Sequence, residues 1–204
     1  MPSLLLKRDF TQGSYYHLKH TAKKDTLLFR TDADYKNFLL LLSYYLRFPD
    51  ATPLSWVKRL TPQTVIAKRN ASTLGASPVT LHGFLLLPDH FHLVLRENQG
   101  GPQPGISNLL RRTSVGYAMY YNQTYKVHGT IYRGKYKNIL LSQQDLSPLI
   151  HSLHHHAGVN NTFLALPTHS SRTDYAGTPR PWITPLPLET NAPPLDPTSR
   201  LLLD

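Results

Sequence analysis

Two apolar segments separated by only two residues constrain the fold of this chain more than any other feature. Val79–Leu87 and residues 90–96 are short and rich in residue types that favour strands, and Pro88-Asp89 between them is typical of a turn or kink. The two segments therefore predict either the partners of a hairpin or a strand pair across the centre of a sheet.

Strand and helix patterns flank this pair on both sides. Residues 15–18 form a short aromatic run typical of a strand, and Thr31 followed three residues later by Asp34 resembles a capping box at the start of a helix. Further along, the pattern predicts a helix at 106–122, a strand at 136–141 and a helix at 146–156. This order predicts an α+β fold, a ferredoxin-like antiparallel sheet with the order β-α-β-β-α-β and an extra C-terminal helix.

The chain divides into one domain and a tail. Residues 1–160 carry the strand and helix patterns, and residues 51–77, rich in Pro, Ser, Thr and basic residues, are interpreted as a loop or insertion. Residues 161–204 are Pro-rich with almost no net charge, so we expect an extended tail, draped over the domain or disordered, to which the sequence assigns no function.

The formal net charge of +10 makes a polyanion the first partner to consider. The apolar runs are far shorter than the roughly 20 residues of a membrane span, and the N-terminus lacks a signal-peptide pattern, so we expect a cytoplasmic protein that does not bind membranes. Because the chain has no Cys, any metal site must use His and oxygen ligands.

The positive charge is concentrated where tyrosines are also frequent. Residues 98–144 contain no acidic residue but six basic residues and six tyrosines. Cations can neutralise phosphates and flat rings can stack on unpaired bases, so the stretch favours a single-stranded or hairpin nucleic acid over a merely solvated basic face.

His90-Phe91-His92 is the sharpest chemical motif. In a strand the side chains at i and i+2 share a face, so His90 and His92 project together while Phe91 points to the opposite side. Two adjacent imidazoles supply half of a divalent-metal site. In a chain with 11 histidines, the triplet alone is equally compatible with a hydrogen-bonded or exposed pair.

Several motifs in order give the triplet a context. Residues 83–95, from Gly83 through Pro88-Asp89-His90-Phe91-His92 to Leu95, resemble the metal-binding strand of the REP-associated and insertion-sequence single-tyrosine transposases. Other segments are similar to that family's first strand and helix, its basic strand entry and its C-terminal serine pair: Tyr15-Tyr16-His17, Leu28-Phe29-Arg30, Asp34-Tyr35, Tyr121-Asn122, His128-Gly129, residues 132–137, Ser170-Ser171 and Tyr175. The resemblance covers residues 13–177.

The resemblance implies a nuclease of the histidine-hydrophobe-histidine (HUH) type. His90 and His92, with His155 as a candidate third ligand, are expected to hold Mg²⁺ or Mn²⁺, and a tyrosine is expected to attack the scissile phosphate of single-stranded DNA beside a hairpin. The side chains expected to contact DNA are Arg111, Arg112, Arg133, Lys135 and Lys137, with Tyr132 or Tyr136 stacking on a base. A homodimer is left open.

The sequence departs from the family at the nucleophile. Matching the Ile150-His151 step places Leu149 in the tyrosine position, and matching by distance from Gly134 places Leu153 there. Leucine cannot attack phosphorus, so the nucleophile is unknown. The substitutes considered are Tyr117, Tyr120 or Tyr121 from the preceding helix, for which core packing or base stacking is the favoured use, and His151 or His155.

The sequence therefore predicts a DNA-binding protein of the transposase family. Cleavage and rejoining of DNA through a phosphotyrosine would be lost if no other residue replaces the missing tyrosine. The alternative is a non-catalytic binding module for single-stranded DNA or RNA, because the same element order occurs in RNA-recognition domains. A histidine phosphohydrolase of small nucleotides is disfavoured, since Val94 stands where a further histidine would be needed.

Overall fold

The computed structural model describes residues 10–49, 77–102, 104–159 and 169–189, with backbone alone for residues 156–159. The elements in chain order are β1 (Tyr15–Thr21), α1 (Asp32–Arg47), β2 (Val79–Leu87), β3 (His90–Glu97), α2 (Gly105–Tyr125), β4 (Lys137–Leu141), α3 (Gln143–Val159) and α4 (Arg172–Ala176). The loop or insertion expected at 51–77 lies, apart from Ser77, outside the described residues.

The four strands form one antiparallel sheet in the order β2-β3-β1-β4. This is the strand order of a ferredoxin-like β-α-β-β-α-β arrangement, and α3 follows β4 as the extra helix. The expected α+β fold is confirmed.

The segments on either side of Pro88-Asp89 are hairpin partners. β2 and β3 pair antiparallel, with Leu87 opposite His90 and Leu85 opposite His92. β3 is also paired with β1 along its length, so it occupies an interior position in the sheet, next to β1. The hairpin interpretation is therefore confirmed, whereas the pair across the centre of the sheet is β3 with β1 and not β2 with β3.

α1 begins as the capping pattern predicts. The Asp34 carboxylate accepts the backbone N–H of Thr31 at 2.9 Å and of Arg30 at 2.8 Å, which satisfies donors that a helix start leaves without partners. The same carboxylate accepts the hydroxyls of Tyr120 at 3.0 Å and Tyr125 at 2.6 Å. Asp34, fully buried, thus joins the start of α1 to the end of α2.

The sheet has an apolar core on each face because side chains alternate along the strands. One core lies under α1 and α2, and it contains Phe91, Leu93 and Leu95 of β3 together with Phe38 and Tyr117. The other core contains Leu85 and Val94 of the sheet and Leu149, Ile150 and Leu153 of α3. The histidines of β3 lie on this second face.

The C-terminal segment packs along β2. Ser170 bridges Leu85, the backbone N–H of Ser171 donates to the Phe84 carbonyl at 3.0 Å, and the N–H of Thr184 donates to the Leu81 carbonyl at 3.0 Å. These bonds cover the edge of β2, which would otherwise offer unpaired backbone groups to another strand. Within the described residues, no helix combines the length and apolar character needed to cross a membrane.

Candidate metal and nucleic-acid site

His90 and His92 project together from the second face of the sheet. Their ring centroids lie 4.9 Å apart with an interplanar angle of 77°. Phe91 between them points to the other face, where its ring packs 4.7 Å from that of Phe38. The side-chain alternation expected of the triplet is therefore confirmed.

Each of these histidines has a neighbour on its Nδ1 atom. Asp89 Oδ1 lies 2.7 Å from Nδ1 of His90, and Nε2 of His17 lies 3.0 Å from Nδ1 of His92. Burial, with the charge of Lys19 as a second cause, lowers the pKa of His17 to about 3, so its ring is neutral at physiological pH. When both Nδ1 atoms donate, the Nε2 atoms of His90 and His92 keep the lone pairs that ligate metals.

The donor set supplies two ligands of a metal site. Hydrogen bonds from a carboxylate and from a second ring orient ligating histidines in known metalloproteins, and Asp89 and His17 stand in these positions here. Within the described part of the chain, no three His, Asp or Glu side chains gather in an arrangement that could hold a metal ion. His155 is exposed on α3 and does not complete such a cluster, so its role stays a prediction.

The leucines in the expected tyrosine position are part of the core. Leu149 and Leu153 are both fully buried and pack with Val94 and Leu85 between α3 and the sheet. Both alignments therefore place an apolar contact, rather than a reactive group, on the helix that faces the histidine strand.

The tyrosines of α2 are engaged in packing. Tyr117 is fully buried and donates its hydroxyl to the Leu28 carbonyl at 2.5 Å, and burial raises its pKa far above the usual value. Tyr120 donates to Asp34, and Tyr121 is 1% exposed with its ring 4.7 Å from that of Tyr125. None of these three presents a phenolate at the surface, and their packing agrees with the first of the two uses, core packing or base stacking, that the sequence favoured.

A basic pocket lies beside the histidine pair. Its volume is about 230 Å³, and its lining is Lys19, Thr21, Arg133, Lys135 and Lys137. In the strand register Lys19 is opposite His92, Thr21 is opposite His90, and Lys137 is opposite Lys19. The pocket therefore belongs to the same face of the sheet as His90 and His92, one strand away.

The remaining side chains expected to contact DNA do not join this pocket. Arg112, on α2, donates to the Pro49 carbonyl at 2.6 Å and stacks over Tyr45, and Arg111 donates to Asn108 at 2.9 Å. α2 packs against the other face of the sheet, so these two arginines are separated from the histidines by the sheet.

Of the two expected stacking rings, Tyr132 is 7% exposed and stacks on His20 with centroids 4.1 Å apart, so it has no free face of its own to offer a base. Tyr136 is half-buried, with its hydroxyl 3.5 Å from that of Ser107. Tyr136 is thus the ring of the pair with more solvent access.

Sequence reasoning missed Lys19, Thr21, His17 and Asp89. The signal for the first three was present in the alternation of β1, where Tyr15, His17, Lys19 and Thr21 share one face, but the pairing of β1 with β3 was needed to bring them to the histidines. Asp89 was interpreted as a turn residue and as part of the motif around the histidines, without a role of its own.

Comparison with known proteins finds a structural likeness. A solved structure of a REP-associated tyrosine transposase bound to a REP hairpin matches with a TM-score of 0.49 and 12% sequence identity, over 91% of this chain and 93% of that one. No model of a known protein family and no curated protein matches the chain.

Proposed function

We propose that the protein binds single-stranded or hairpin DNA across the face formed by β1, β3 and β4, holds a divalent metal at His90 and His92, and does not form a phosphotyrosine. The observation that carries the proposal is the basic pocket placed one strand away from the histidine pair. The ordered sequence motifs support a relationship to the single-tyrosine transposases, and the cytoplasmic location expected from the sequence stays a prediction. A homodimer stays a prediction.

The electrostatics of this face support an anionic partner. Four cationic side chains line a pocket of about 230 Å³ with no acidic residue among its lining. Contacts between such cations and phosphates release counterions from DNA. Part of the binding free energy should therefore not depend on the DNA sequence, and the affinity should fall strongly with salt. The chain's net charge of +10 acts in the same direction at longer range.

The histidine pair supports a metal in contact with a phosphate. His90 and His92 would hold Mn²⁺ or Mg²⁺ through Nε2, with Asp89 and His17 orienting the rings from the outside. When bound, the metal supplies a positive charge that polarises a phosphate oxygen. A third protein ligand is not needed for this role if water or the phosphate fills the remaining positions.

The buried leucines support the loss of covalent cleavage. The position where the family has its nucleophile is expected at Leu149 or at Leu153, both of which are buried, and the hydroxyls of Tyr117 and Tyr120 are hydrogen-bonded within the fold. A phosphotyrosine on either of these two rings would require its hydroxyl to give up that hydrogen bond. We therefore expect binding without a covalent intermediate.

The test is to incubate purified protein with a labelled DNA hairpin drawn from sequence flanking its gene, with and without Mn²⁺. We expect salt-sensitive binding on native gels, tightened by Mn²⁺, and neither an adduct nor a cut strand on denaturing gels. In the double variant His90→Ala/His92→Ala the Mn²⁺ effect should disappear while the salt-sensitive part remains.

The alternative is a non-catalytic DNA- or RNA-binding module without metal, and an unchanged Mn²⁺ response in the double variant would favour it. A covalent, protease-sensitive adduct would show that a nucleophile survives, and a cut strand without adduct would indicate attack by water. Absence of any binding would reject the proposal.

A further inference from the structure

The basic pocket brings several positive charges close together, and their mutual repulsion opposes folding. Lys19 and Lys137 stand directly opposite each other on β1 and β4, and Lys135 and Arg133 complete the lining. Like charges in register on neighbouring strands destabilise a sheet. An anion in the pocket reverses the sign of this interaction, because each cation is then attracted to it.

The size of the pocket decides what part of a ligand it can enclose. Its volume of about 230 Å³ is below the roughly 300–1,000 Å³ of pockets that enclose whole drug-sized molecules. A complete nucleotide therefore does not fit inside, whereas a phosphoryl group with its first attached atoms does. The Thr21 hydroxyl adds a neutral donor to the charged ones.

We propose that this pocket binds the terminal phosphomonoester of a DNA strand in preference to an internal phosphodiester. The proposal rests on the proposed function only in assigning the phosphate to DNA. A phosphomonoester carries a charge of about −1.5 to −2 at pH 7 and three strong acceptor oxygens. An internal diester carries one charge and two such oxygens, so it can form fewer hydrogen bonds and ion pairs with the four cations and one hydroxyl of the pocket.

The position of the pocket supports an end rather than the middle of a strand. An internal phosphate brings chain on both sides into the recess, whereas a terminal group enters with chain on one side only. Lys19 and Thr21 are paired with His92 and His90, so a strand whose end occupies the pocket can continue directly across the histidine pair. The pocket would then fix the register of the strand on the protein.

The experiment measures the affinity of the full chain for one single-stranded oligonucleotide in three forms, with a 5′-phosphate, with a 3′-phosphate, and with hydroxyls at both ends. Fluorescence anisotropy with an internal label leaves both ends free. We expect one phosphorylated form to bind about tenfold more tightly than the unphosphorylated one, and Lys19→Gln/Lys135→Gln to remove that difference. Lys36→Gln is the matched control, since Lys36 is exposed on α1, which packs on the other face of the sheet.

Competition separates the sources of the same chemistry. A nucleoside monophosphate and inorganic phosphate should compete only at concentrations well above those of the phosphorylated strand. Equal binding of all three oligonucleotides would overturn the inference while leaving DNA binding intact. A mononucleotide as tight as the phosphorylated strand would overturn the assignment to a strand end, and no binding of any oligonucleotide would reject the proposed function itself.

Discussion

Nε2 of His17 lies 3.0 Å from Nδ1 of His92, between strands whose residues are 75 positions apart in the chain. Both rings are buried, with centroids 5.1 Å apart and an interplanar angle of 24°. The contact gives His92 an orienting neighbour on the side away from the position where we propose a metal. Replacing His17 therefore tests most directly whether this contact orients a metal ligand or only packs two rings together.

Replacing His17 by Leu should weaken Mn²⁺ binding about 10- to 100-fold, because a ligating histidine that loses its outer hydrogen bond loses orientation. Isothermal titration with Mn²⁺ measures this, and circular dichroism checks the fold. His17→Gln, which keeps a hydrogen-bonding group, should retain part of the affinity. An affinity of His17→Leu equal to that of the wild type would reduce the contact to packing.

Reversing charge at Lys135 and Lys137 to Glu should weaken binding to every DNA sequence tested and flatten the dependence of log K on log salt. Removing one cation that neutralises a phosphate lowers that slope by about 0.7 for single strands. Anisotropy titrations at several salt concentrations provide the measurement. Reversing the charge of Arg111, which lies on α2 at the opposite face of the sheet from the pocket, should weaken binding less. A larger loss of affinity from the Arg111 variant than from the lysine variant would place the binding surface at α2.

Acid should destabilise the fold through buried neutral histidines. Burial is the larger cause that lowers the pKa of His20 to about 4, and the bond to the Gly134 carbonyl opposes it. The unfolded state, with a pKa near 6.5, then binds more protons between about pH 4 and pH 6.5, so this contribution is complete above pH 6.5 and is lost as the pH falls. For His20, which is 6% exposed, the loss at pH 5 is on the order of 2 kcal/mol.

Urea denaturation at pH 7.5, 6 and 5 measures this loss. His20→Phe keeps a ring against Tyr132 and removes the titrating group, so its stability should depend less steeply on pH. An identical slope in both proteins would assign the acid sensitivity to other groups.

Installing the missing tyrosine should not restore cleavage. Leu153 is fully buried between α3 and the sheet, so Leu153→Tyr adds volume and a hydroxyl to a packed core and should cost about 1–3 kcal/mol. The measurements are thermal melting and the denaturing-gel assay for adducts with Mn²⁺. Leu153→Met, which keeps about the volume of the wild-type leucine, is the control. An adduct formed only by the tyrosine variant would show that the site still accepts a nucleophile.

The C-terminal segment should contribute to stability through an ion pair whose carboxylate is buried. Asp174, 3% exposed, accepts Nε of Arg180 at 2.9 and 3.1 Å and the Arg180 backbone N–H at 2.8 Å, and Nη2 of Arg180 contacts it as well. Asp174→Asn leaves the arginine without its counter-charge and should cost about 1–3 kcal/mol in urea denaturation, less than for a fully buried pair because the Arg180 side chain is 26% exposed. Its affinity for DNA should be unchanged, and a parallel loss of affinity would tie this segment to the binding face.

Local patterns were sufficient for the elements and for part of the site. Alternation placed His90 and His92 on one face and Phe91 on the other, and the Thr31 and Asp34 spacing located the start of α1, because both periodicities depend only on neighbours along the chain. The element order was enough to predict the ferredoxin-like sheet. Helix and strand ends moved by a few residues, as with α3, which begins at Gln143 rather than 146, because terminal turns are set by their surroundings.

What the sequence determined by itself was therefore the element order, the paired histidines, the basic character of residues 98–144 and the missing tyrosine. Only the tertiary structure decided which groups meet: β1 brings His17 to His92 and Lys19 to Lys137, while Arg112 is turned to the Pro49 carbonyl. The physical reason is that strand pairing joins residues distant in the chain, and periodicity along one element carries no information about its partner.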